Sequence, residues 1–79
     1  MLMVARSREF IQARCLAVCR QRPGCRHLQR VLIGRIKPLD IGPNWEVLAF
    51  EPELPLFAYI EAMKAADILR ATYALAPTR

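Results

Sequence analysis

The sequence predicts an α+β fold of helix, two-stranded antiparallel hairpin and helix (αββα). Three observations carry that expectation. Apolar residues at helical spacing precede a Pro-Gly break, two short β-branched runs flank a brief loop, and a long segment rich in Ala, Leu and Met closes the chain without a breaker. A chain of 79 residues buries about 60–65% of its unfolded surface, which suits one domain over 1–79 and not two cores. With 54% apolar and 24% charged residues, it lacks the low hydrophobicity that keeps chains disordered.

Ser7, followed by Arg8-Glu9-Phe10, opens the first helix. Its hydroxyl suits a free first-turn amide, and Glu9 sits where the helix dipole favours a negative charge. Pro23-Gly24 cannot continue a helix, so this one is expected over about residues 7 to 22, with Arg20 and Arg22 at its negative end. Ile11, Cys15, Val18 and Cys19 recur at i, i+4, i+7 and i+8 and form the stripe that faces the core.

Val31-Leu32-Ile33-Gly34-Arg35-Ile36 and Asn44-Trp45-Glu46-Val47-Leu48-Ala49-Phe50 read as strands. The connection Pro38-Leu39-Asp40-Ile41-Gly42-Pro43 is too short for a helical crossover and rich in turn formers, so the strands pair as a hairpin. Pro52 stops the second strand. Strict alternation sends Val31, Ile33, Trp45, Val47 and Ala49 one way and Leu32, Ile36, Leu48 and Phe50 the other, leaving both faces partly apolar.

Pro55 suits a first helical turn, with Glu53 just before it, and the second helix is expected from Leu56 to about Leu75. Its large apolar residues spread widely: Leu56, Tyr59, Ile60 and Met63 on one side, Phe57, Ile68 and Leu75 beside them, Leu69 and Tyr73 further round. Glu61, Lys64, Asp67 and Arg70 step by three and form a solvated edge of alternating charge. One hairpin cannot cover so wide an apolar surface. A homodimer would complete the core, and Trp45, Phe50, Tyr59, Met63 and Tyr73 are the expected interaction residues. For Trp45 the structural alternative is a core residue opening the second strand, with Asn44 bonded to the turn backbone.

The net charge of +5 is unevenly spread. Residues 1–37 hold nine basic side chains against Glu9 alone, and residues 38–79 hold three against six acids. The two halves attract each other, and the basic half also suits a phosphate backbone. The alternative function is therefore nucleic-acid binding through Arg20, Arg22, Arg26 and Arg30, which cluster around the first helix end. Against it, no helix-turn-helix spacing is visible and Phe10 is the only aromatic nearby.

Cys15, Cys19, Cys25 and His27 nominally make a zinc set, but their spacing matches no known pattern, and the helix cysteines lie on the core stripe. Buried thiols are expected, with no metal and no cofactor. His27, the single histidine, could serve Cys25, but residues two apart at a loop are poorly placed for a rigid dyad, no carboxylate is near them in sequence and the three glycines are too scattered for a phosphate loop, so no enzyme is expected. Leu54 to Leu75 carries four charges, so no membrane span is expected. Glu9, Gln12 and Arg14 interrupt what would be a signal core, and an odd count of cysteines fits reduced thiols. A cytoplasmic location follows.

The run Gly42-Pro43-Asn44-Trp45-Glu46-Val47 to Phe50-Glu51-Pro52, followed by an Ala-rich helix ending near Thr72-Tyr73-Ala74-Leu75, resembles a group of short bacterial proteins with an Asn-Trp strand. The resemblance covers the second half of the chain. It implies a bacterial or phage origin and assigns neither an activity nor site residues.

Overall fold

Ser7 starts the first helix as expected: its Oγ accepts from the Phe10 amide at 3.1 Å, and α1 runs Arg8–Cys19. The computed structural model describes residues 3–38 and 42–77. Ahead of α1 lies β1, Val4–Arg6; after it come β2, Arg30–Arg35, β3, Trp45–Glu51, α2, Leu56–Thr72, and β4, Tyr73–Leu75. The fold is α+β, with an antiparallel hairpin of β2 and β3 and a separate parallel pair of β1 and β4. The expected αββα core is thus present inside a longer order. Residues 39–41 of the expected hairpin turn lie outside the described residues.

α1 stops at Cys19, three residues short of the expected end, and the chain turns at once, with the amides of Gln21 and Arg22 bonded to Val18 O and Cys19 O. The turn is tight because Gly24 takes a φ of +81° and passes close to α2. A Cβ at that position would lie 2.7 Å from the Phe57 ring and 2.9 Å from Ala58 Cβ. Glycine is needed there for both reasons.

The hairpin departs from simple alternation at one point. Leu32 pairs with Ala49 and Ile33 with Val47, so Leu48 is an extra residue in β3. Such a bulge reverses the parity of everything beyond it. Phe50 therefore pairs with Val31 and joins the core, correcting its expected place on the opposite face, while Ala49 sits beside Leu32. Leu48 folds over Gly34 on the outer side and stays exposed.

α2 ends at Thr72 and not near Leu75. Three residues of extended chain follow because the hairpin claims their backbone: Trp45 Nε1 donates to Tyr73 O at 2.9 Å, Asn44 Nδ2 donates to Leu75 O at 2.9 Å, and Leu75 N donates to Asn44 Oδ1 at 2.8 Å. Drawn out in this way, β4 pairs with β1 in the register Val4 to Tyr73, Ala5 to Ala74 and Arg6 to Leu75. Arg35 adds a hydrogen bond to Ala76 O.

The two helices meet through small residues. Cys15 and Cys19 of α1, with Cys25 after it, pack toward Ala58, Ala62, Ala65 and Leu69, all buried. The thiols of Cys19 and Cys25 come within 3.6 Å of Ala62 O and 3.4 Å of Ala58 O, so sulfur touches the α2 backbone. Nothing larger fits between. Ala62→Leu is expected to destabilise the fold by about 1–3 kcal/mol through overpacking. Urea denaturation checks this, and an unchanged midpoint would mean that the helices are not so closely apposed.

Candidate interaction surface

The alanine face of α2 decides what the helix shows to solvent. Ala58, Ala62, Ala65, Ala66 and Leu69 turn inward, so Leu56, Phe57, Ile60 and Ile68 turn outward with 74%, 61%, 46% and 60% of their surfaces exposed. Lys64 and Asp67 lie among them on the exposed side. A second apolar feature adjoins this face. A groove of about 700 Å³ runs between β3 and the start of α2, lined by Leu48, Phe50, Leu54, Leu56 and Tyr59 among others.

The residues expected at an interface are not together. Trp45 is wholly buried with its ring N–H satisfied, and Phe50 is also core. Both are therefore corrected from partner contacts to protomer interior; for Trp45 the core alternative is the one observed, while the Asn44 side chain bonds to Leu75 and not to the turn backbone. Tyr59 is exposed beside the groove, edge-on to Phe50 with centroids 5.7 Å apart. Met63 is half-buried against the core, and Tyr73 lies in β4, edge-on to Phe10 at 5.4 Å. Of the expected residues only Tyr59 belongs to the exposed apolar surface, with Leu48, Leu56, Phe57, Ile60 and Ile68. The signal that finds them is the spacing of alanines at 58, 62, 65 and 66, which marks the close-packed side and puts the bulky residues opposite.

The four arginines of the alternative function are split. Arg30 lies 3.2 Å from Glu51 and Arg22 4.0 Å from Glu61, while Arg20 and Arg26 are exposed. Arg8, Arg35 and Arg70 are used structurally, donating to Ile33 O, Ala76 O and Trp45 O. Arg6 stacks over the Phe10 ring at 4.9 Å. About half of the basic first half is thus tied to the fold.

Cys15, Cys19 and Cys25 are all free and buried, and His27 is exposed. Among the described residues no cluster of His, Cys, Asp or Glu could hold a metal ion. Burial pushes the Cys15 thiol up to about 12 and the Cys19 thiol to about 11, each raised further by the neighbouring cysteine. Burial raises Cys25 too, with Glu61 adding to the effect. Buried thiols of this kind are packing residues and poor nucleophiles. Among the described residues no helix is long and apolar enough to cross a membrane.

No protein-family model matches the chain, and no curated protein and no solved structure matches it significantly.

The raised thiols imply a pH dependence with a definite sign. Below the ordinary value of 9.0 the thiols are protonated in both folded and unfolded chains and their contribution is full; above it only the unfolded chain releases the proton, so stability falls toward about pH 12. Denaturation midpoints measured across that range should decline, and Cys15→Ala should decline less steeply. Equal slopes would show that Cys15 is not buried as described.

Proposed function

We propose that this is a small non-enzymatic interaction protein that self-associates as a homodimer in the cytoplasm and uses no cofactor. The observation that carries the proposal is the outward face of α2, where Leu56, Phe57, Ile60 and Ile68 stand exposed together. Fully covering a large apolar side chain contributes about 1.5–3 kcal/mol. These residues start 46–74% exposed, so covering four from each copy contributes on the order of 10 kcal/mol, comparable with the association cost of about 4–15 kcal/mol. Lys64 and Asp67 lie on the same face, so an antiparallel pairing of two α2 helices can set opposite charges against each other across a twofold axis.

Nucleic-acid binding is the second reading, favoured by the exposed Arg20 and Arg26. It requires an affinity that falls steeply with salt, and a flat salt response in a DNA or RNA titration removes it.

Light scattering behind size exclusion tests the dimer. The wild-type protein should run at about twice the 9.0 kDa of one chain at micromolar concentration. Ile60→Glu, on a half-exposed site outside the core, should raise the dissociation constant at least about tenfold with little change in folding. A wild-type monomer at that concentration overturns the proposal.

A further inference from the structure

Five consecutive residues of β3, Val47 to Glu51, line the groove before α2. Leu48 is the extra residue of a bulge, so these five residues do not alternate regularly between the two faces of the hairpin. The groove lies between β3 and α2, along the edge of β3 at which Arg70 Nε reaches Trp45 O. That edge is free: β3 pairs with β2 on its other side and with no further strand among the described residues.

Two points of the hairpin's outer backbone are taken by side chains. Ile33 on β2 gives its amide to Gln12 Oε1 at 3.1 Å and accepts at its carbonyl from Arg8 Nη1 at 2.6 Å, so α1 holds that edge at its middle. Where β3 begins, Trp45 O accepts from Arg70 Nε at 2.8 Å. From Val47 to Phe50, no hydrogen bond from another element reaches the edge among the described residues. A strand edge without main-chain partners, here bent by the Leu48 bulge, beside an apolar groove and a helix start offers a place at which an extended peptide can bind through main-chain pairing.

We infer that the groove is a strand-addition site for an extended segment of another protein, apolar at alternate positions and carrying lysine or arginine. Charge selects this occupant. The only charged residues lining the groove are Glu51 and Glu53, and β3 itself carries Glu46 and Glu51 with no basic residue. Pairing with the β3 of a second copy would bring like charges together along the edge, which is destabilising. Glu51 is already paired with Arg30 at 3.2 Å, so a basic segment meets opposite charge chiefly at Glu53. Its apolar side chains would lie against Leu48 on one side and Leu56 and Tyr59 on the other. The groove shares only Leu56 with the outward α2 face, so this inference does not rest on the dimer and can fail or succeed independently of it.

The test is an NMR titration of the full chain with a capped peptide as long as β3, in which valine alternates with lysine and threonine. Binding should shift the amides of Val47 to Phe50 and slow their hydrogen exchange. The same peptide N-methylated at alternate residues should bind at least about tenfold more weakly, because main-chain hydrogen bonds carry the affinity. Glu53→Lys should weaken the basic peptide several-fold and favour a version with glutamate in place of lysine. Absence of binding, shifts located away from β3 and the start of α2, or equal binding of the N-methylated peptide would overturn the inference. So would shifts of the β3 amides that depend on protein concentration without peptide, since they would make a second copy the occupant.

Discussion

The structure depends on the junction made by Asn44 and Trp45. An asparagine amide presents an NH2 group and a carbonyl oxygen side by side, and here each makes a hydrogen bond to the backbone of a single residue, Leu75. The side chain thereby does what a neighbouring strand would do. Trp45 fills the centre of the core with no exposed surface and still satisfies its ring N–H on Tyr73 O, so its burial leaves no polar penalty. Arg70 returns a hydrogen bond to Trp45 O. Together these bonds take residues 73–75 out of the helical path, end α2 and create the strand on which β1 forms.

Much of this was readable in the sequence because it is local. Ser7 caps α1, Pro23-Gly24 breaks the chain after it, and the β-branched runs form a hairpin within a residue of the expected limits. What escaped is non-local. β1 and β4 are three residues each and lie at opposite ends of the chain, so no periodicity announces either. Tyr73-Ala74-Leu75 continues an Ala- and Leu-rich helix by propensity, and only hydrogen bonds from a strand nearly thirty residues earlier overrule it. The extra residue Leu48 likewise has no composition signal, yet it moves Phe50 into the core.

The exposed surface was misplaced for a related reason. Bulky apolar residues are ordinarily assigned to the core, whereas here cysteine and alanine meet at the α1–α2 contact and bring the backbones close enough for sulfur to reach carbonyl oxygen. Close approach leaves no room for Phe57, Ile60 or Ile68, which are turned to solvent. The same geometry separates two apolar surfaces with different electrostatics. The outward face of α2 holds charges of both signs, whereas the charged residues lining the groove along β3 are carboxylates.

Native-state hydrogen exchange of the Leu75 amide tests most directly whether the Asn44–Trp45 junction holds the fold. If the junction governs the C-terminal segment, this amide exchanges only when the whole chain unfolds, as slowly as the interior amides of α2, although it lies near the end of the chain. Exchange at the rate of a frayed terminus, with α2 still protected, would contradict that account.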